Sequence, residues 1–175
     1  MRTVELLLDE HTEQRVVDAW HRLAAAGLPS QSNHSHPTNR PHLTFASADA
    51  WTPSAFAAVR AELHGLDLPA AFDGLLRFAG RYDVLALRVR PDARLLRLHR
   101  TVHGILRDAG VEAGNPHLQP GSWQPHITLG RARGATWDLP DDLLLPPALR
   151  GPAAPAGRFA AARTYDSASR TTAGL

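Results

Sequence analysis

Pro41-His42-Leu43-Thr44-Phe45 and Pro125-His126-Ile127-Thr128-Leu129 are one five-residue pattern, Pro-His-apolar-Thr-apolar, written twice 84 residues apart. Each reads as a short strand. Successive side chains of a strand face opposite ways, so Leu43 and Phe45 share one face, as do Ile127 and Leu129. His42 with Thr44, and His126 with Thr128, then face the other side. A proline ahead of each histidine suits the first residues of a strand, where no ladder donor is missed.

Working outward, the surroundings of the two segments also repeat. Before the first lie an alternating strand in residues 3–9 and a helix running from Asp9 as N-cap to about Ala26. Gly27 and Pro29 close that helix, and Ser30 to Arg40 reads as a polar loop. After it come Thr52-Pro53, a cap with proline at the first helical position, a helix stopping at Gly65, and a strand over 69–79. The second half follows the same plan. Val84 to Val89 is a strand, and Asp92 to Ala109 an amphipathic helix with Leu95, Leu98, Val102, Ile105 and Leu106 inward. A short, proline-broken helix within 139–149 and a last strand near 157–166 complete it. Two copies of strand-helix-strand-helix-strand imply duplication, with lobes of about 1–80 and 81–175 in one domain. The fold class expected is α+β: two lobes of antiparallel strands, helices on the outer faces, and a central cleft lined by His42, Thr44, His126 and Thr128.

A bare His-x-Thr carries little information, because ten His and eleven Thr in 175 residues predict about 0.6 chance matches. His99-Arg100-Thr101 is set aside on structural grounds. It falls inside the third helix, where residues two apart face different directions. The matches at His42 and His126 share a longer pattern, a strand context and equivalent places in a repeat. Each of these residues also has an ordinary reading, as a sheet histidine satisfied by backbone or a common strand threonine. For the histidines that reading requires the duplication to be coincidence as well.

Composition excludes several classes. The chain has no cysteine, so it has no disulfide framework and no thiolate nucleophile or metal site. No apolar run approaches the length of a membrane span, and the N-terminal residues read as a first strand, so a cytoplasmic location is expected. The pI of about 9.9 overstates the positive field, since net charge is only +2. All nineteen basic residues are arginine, and with no lysine or cysteine and two tyrosines little titrates above histidine. His34-Ser35-His36 with His42, or His99 with His103, would be the places to look for a metal. The first group lacks a carboxylate and a rigid element, and the second a third ligand. A loop role and a surface or helix-flank role are the simpler expectations.

The duplicated motifs resemble those of the 2H phosphoesterase superfamily, in particular the bacterial 2′-5′ RNA ligase-like proteins, over nearly the whole chain. The resemblance implies a bilobal fold and metal-free, cofactor-free chemistry on RNA 2′,3′-cyclic phosphate ends or 2′-5′ phosphodiester linkages. It implies His42 and His126 as the catalytic pair and Thr44 and Thr128 as phosphate-binding hydroxyls. The partner expected is an RNA end or nucleotide-like phosphodiester, with no membrane and no obligate protein partner. This chain departs from the pattern in a weak helix before the last strand and a short Gly/Ala-rich tail. Physical chemistry reaches the same residues: cleaving a phosphodiester without metal needs a base and an acid, and histidine serves as either near neutrality. Water as nucleophile gives hydrolysis, and an RNA 5′-hydroxyl gives ligation. A non-catalytic nucleotide- or RNA-binding module using the same cleft is the alternative, and a histidine-rich metal binder the remotest. Arg40, Arg88, Arg163 and Tyr165 approach the cleft by strand position but are not assigned to it.

Overall fold

The computed structural model describes residues 1–112, 114–150 and 155–175. The first half is β1 (Arg2–Leu8), α1 (Glu10–Ala25), β2 (His42–Ala48), α2 (Pro53–Leu63) and β3 (Leu68–Phe78). The second is β4 (Asp83–Val89), α3 (Ala93–Asp108), β5 (His126–Ala132), α4 (Asp141–Leu144) and β6 (Pro155–Asp166). Side-chain caps start the three long helices, those at Asp9 and Thr52 as expected. Asp9 accepts from Thr12 N at 2.9 Å, Thr52 from Ala55 N at 3.1 Å and Asp92 from Leu95 N at 2.8 Å. Gly27 and Gly110, at φ 71° and 69°, end α1 and α3 in the left-handed conformation that costs glycine least. The tail carries one strand more than its composition announces, β7 (Thr171–Gly174), an edge strand paired with β6.

All pairings are antiparallel, and their order shows how the halves combine. β1 pairs with β2 and β4 with β5, each within its own half. β3 pairs with β4, and β6 with β1. Each half therefore hands its last strand to the other. The local reason for β3–β4 is the tight turn over residues 79–82, which makes a hairpin of sequence neighbours on either side of the repeat boundary. The remaining contacts, β2–β5 and β3–β6, close a ring of six strands, with β7 appended. Exchanging β1 for β4, β2 for β5 and β3 for β6 leaves the scheme unchanged, a pseudo-two-fold symmetry. Even the register shifts obey it, falling between Val4 and Glu5 in β1 and between Leu85 and Ala86 in β4.

The core lies between the strands and the helices, with Leu6, Leu43, Phe45, Leu85, Leu87, Ile127 and Leu129 fully buried under α1 and α3. Each of these helices reaches the motif strand of the opposite half. Trp20 of α1 donates its indole N–H to Thr128 O at 3.0 Å. At the equivalent place in α3, His103 Nε2 lies 3.2 Å from Phe45 O and serves that carbonyl as donor. Gly130 lets the loop after α1 approach, since a side chain there would strike the Pro29 carbonyl.

His99 and His103 were expected on the surface or flank of α3, and both are buried instead. They lie on the same helical stripe as Leu95, Val102 and Leu106, so packing that stripe inward takes them with it. His99 stacks on Trp123 with ring centroids 4.0 Å apart and meets Phe45 edge-on at 5.1 Å. Burial, with His103 alongside, pulls His99 down to about 4, and burial lowers His103 also. Below the ordinary histidine range the unfolded chain binds protons that the folded one refuses. Stability is thus whole above about pH 6.5 and is lost as pH falls towards 4, by up to about 3 kcal/mol for His99. Urea midpoints taken from pH 7.5 to 4.5 should show this decline, and His99→Leu should flatten it; an equally steep decline in the variant would contradict the assignment.

Candidate functional site

β2 and β5 touch through one residue pair, Leu43 opposite Ile127. In that antiparallel register His42 stands across from Thr128, and Thr44 across from His126, all four on the face away from the core. All four are half-buried, whereas Leu43, Phe45, Ile127 and Leu129 are buried. The face opens into a cleft of about 690 Å³ lined by His42 and Thr128 together with Glu5, Tyr82, Arg131 and Arg163, whereas Thr44 and His126 are not among its wall residues. That is room for a nucleotide.

Each histidine is oriented by the carbonyl two residues ahead of it, just before its strand begins. His42 Nδ1 is 2.8 Å from Arg40 O, and His126 Nδ1 is 2.7 Å from Gln124 O. A carbonyl only accepts, so both Nδ1 atoms carry hydrogen and both Nε2 atoms are left to act. Their surroundings then differ. Burial lowers the His126 pKa, opposed by the Gln124 hydrogen bond and reinforced by the charge of His42. The Phe78 ring, 4.8 Å away, is part of that apolar wall. His42 faces a carboxylate instead, with Nε2 3.6 Å from Glu5 Oε1. Glu5 in turn is held by Arg163 Nε at 2.7 Å and Thr3 Oγ1 at 3.0 Å.

Several cleft residues escaped the sequence reading. Glu5 left a signal, a lone acid inside the apolar strand TVELLLD on the face opposite Val4, Leu6 and Leu8. Arg131 was hidden by the register shift, which leaves Leu129 unpaired and changes the phase of β5, bringing an odd-numbered neighbour round to the cleft. Tyr82 sits under three guanidiniums, those of Arg131, Arg133 and Arg81, at 4.3, 5.2 and 5.9 Å from its centroid. None of the three has a carboxylate partner among the described residues. Arg163 and Tyr165 do line the cleft. Arg40 is drawn to Glu13, and Arg88 lies 3.6 Å from Asp73. His34 and His36 reach the cleft wall from the loop before β2, where His36 and Thr38 of a further His-x-Thr bond each other at 2.8 Å. Among the described residues no three metal-ligating side chains converge, and no helix is long and apolar enough to cross a membrane.

Beyond the Leu43–Ile127 pair the strands diverge, which would strand their inner carbonyls. Two indoles meet that need. Trp20 donates to Thr128 O at 3.0 Å and Trp123 to Thr44 O at 3.2 Å. The two motif threonines thus have backbones fixed from outside the cleft.

Residues 13–150 match the family described as the 2′-5′ RNA ligase superfamily. No curated protein matches the chain in sequence. In three dimensions it is similar to Escherichia coli LigT, with 15% identity, a TM-score of 0.62, and 99% of this chain and 93% of that one covered. Kluyveromyces marxianus Usb1 is also similar, with 16% identity, a TM-score of 0.56 and coverage of 99% and 97%. A Thermus thermophilus protein gives 18%, 0.60, and 99% and 94%. LigT has been solved with 3′-AMP, NADP+ and ATP, and Usb1 with uridine monophosphate.

Trp20→Phe and Trp123→Phe keep the ring's bulk but leave the Thr128 or Thr44 carbonyl without its donor. Each should lower unfolding free energy by about 1–3 kcal/mol, the cost of a buried polar group left unpaired. Urea titration checks this, and no loss in either variant would show that the indole bonds do not hold the strands.

Proposed function

The chain belongs to the 2′-5′ RNA ligase superfamily, and from that premise we propose that it is a metal-independent phosphodiesterase with His42 and His126 as its acid–base pair. Membership supports a phosphodiesterase or RNA-ligase type of activity. The finer reading is action on RNA 2′,3′-cyclic phosphate ends or 2′-5′ linkages, reversible as ligation where an RNA 5′-hydroxyl replaces water. One observation supports it: the Leu43–Ile127 register, in which each histidine lies across from the other motif's threonine on the face away from the core. A phosphate between the strands meets a proton-transfer nitrogen and a hydroxyl from each copy.

In hydrolysis His126 is the base. Its lowered pKa keeps it neutral near pH 7, and its Nδ1–H is committed to Gln124 O, so the Nε2 lone pair is available. His42 supplies the proton that the departing ribose oxygen needs. Thr44 and Thr128 donate to non-bridging oxygens as charge builds on them. Tyr82 and Arg131 at the cleft wall offer a stacking surface and a cation for the nucleoside and its flanking phosphate. The nucleotides bound by LigT and Usb1 fit that reading.

The test is turnover of RNA carrying a 2′,3′-cyclic phosphate end and of 2′-5′ dinucleotides. Activity should survive EDTA, because both proton transfers have protein groups; loss on chelation and recovery with zinc or manganese would point to a metal site. His42→Ala and His126→Ala should each lose about 10²–10⁴-fold in kcat, and the double variant far less than the product, since the two act as a unit. The acid limb of the pH–rate profile should lie below 6.5, as the base must be neutral and His126 is shifted downward. Nucleotide binding without turnover would favour the non-catalytic binding module.

A further inference from the structure

We propose that Glu5 and Arg163 are a positioning pair that makes His42 the proton donor, so that the two copies of the motif hold fixed and unequal roles. This rests on the phosphodiesterase reading above. Glu5 pairs with Thr44 and Ala86 with Thr128, so the two occupy equivalent places beside the motif threonines. Across the next strand Glu5 faces Arg163, and Ala86 faces Leu76. The scaffold accepts an apolar Ala–Leu pair on one side and carries a charged Glu–Arg pair on the other.

That pair is costly where it lies. Glu5 is 3% exposed and Arg163 8%. Burying two charges is at best a near balance against attraction, and an apolar pair of similar volume often serves stability as well or better. The sister half has a smaller apolar pair there, Ala86 with Leu76. What the charges add is an electrostatic difference at His42.

The hydrogen bonds show its direction. His42 Nδ1 donates to Arg40 O, and Nε2 lies on the side of the Glu5 carboxylate, so a hydrogen on Nε2 points toward a negative charge. At 3.6 Å the carboxylate attracts the Nε2 hydrogen without capturing it, a distance too long for a hydrogen bond. The N–H stays free to turn to a substrate oxygen. Glu5 Oε2 is occupied by Arg163 Nε, whose charge cancels the repulsion that the carboxylate would exert on a phosphate. Arg163 is itself anchored, with Nη2 3.0 Å from Thr38 O. The other charged or titratable groups around His42 are His126 on β5, His34 and His36 on the preceding loop, and Arg131, Arg170 and the tyrosines of the cleft wall. Glu5 is the only carboxylate among the described lining residues.

In the forward step water forms a bond to phosphorus and gives its proton to His126 Nε2. The bond from phosphorus to the ribose oxygen breaks, and that oxygen takes the proton from His42 Nε2. One water is consumed, and solvent returns the proton from His126 to His42.

Two variants test the pairing. Glu5→Gln removes the charge, and Glu5→Ala with Arg163→Leu copies the sister half's apolar pair, so no buried guanidinium is left alone. Circular dichroism checks the fold of both. Rates are read from pH 5 to 9 on a nucleoside 2′,3′-cyclic phosphate, whose leaving alkoxide needs a proton, and on thymidine 5′-(4-nitrophenyl) phosphate, whose nitrophenolate does not. We expect kcat on the cyclic phosphate to fall by about 10²-fold, the lower end for a lost proton-transfer group. The alkaline limb should move to lower pH, and the nitrophenyl ester should lose far less. His126→Ala should lose on both. An alkaline limb that stays in place, or equal losses on the two substrates with an active wild type, overturns the positioning role and leaves the phosphodiesterase reading standing. A wild type inactive on both substrates overturns the reading and this inference together.

Discussion

The structure depends on a single backbone contact, the Leu43–Ile127 pair on the pseudo-two-fold axis. Strands that paired along their length would bury the motif side chains between neighbours, and strands that did not meet would separate the two copies. One pair holds the copies in register while letting the strands part immediately beyond it. That parting leaves carbonyls which need donors, and the chain supplies them from its helices and loops: Trp20 and Trp123 to the motif threonines, His103 to Phe45 O. Donors on α1, on α3 and in the segment before β5 therefore let the cleft stay open.

Much of this was legible in the sequence because the local signals agree with the global ones. Asp9 and Thr52 read as caps in the sequence and cap their helices in the structure. The Pro-His-apolar-Thr-apolar pattern gave both strands and the face each presents. Two things were not legible. Strand periodicity says which residues share a face only while pairing is regular, and the register shifts in β1–β2 and β4–β5 change the phase within each motif strand. Arg131 was lost there. Burial of His99 and His103 was also obscured, since two imidazoles on a helix flanked by Arg97 and Arg100 look solvated until Trp123 and Phe45, distant in sequence, are stacked on them.

The strand pairing is symmetric, and the residues set in that frame give its two halves different neighbourhoods. Trp20 and His103 occupy equivalent helical places and both serve a carbonyl of the opposite half, yet one is an indole and the other titrates. Glu5 and Ala86 are equivalent, as are Arg163 and Leu76. In-line chemistry at phosphorus, as proposed for this cleft, would use this division, because the two sides of a reaction centre ask for opposite proton movements at once. Twofold geometry supplies opposed positions, and broken twofold chemistry distinguishes them.

The exchange of last strands has a consequence for synthesis. β1, made first, takes one neighbour from β2 and the other from β6, with Arg2 opposite Asp166. As the chain leaves the ribosome, the β3–β4 hairpin and the helices can form in passing, but one edge of β1 stays open until nearly the whole chain has emerged. Contacts of such sequence separation are slow to form, and an exposed edge strand is a template for mispairing with another chain. A half-gene fragment would inherit that open edge permanently. It can close the ring only by lending its last strand to a second copy, which gives the duplicated chain a natural single-copy counterpart: a dimer of halves.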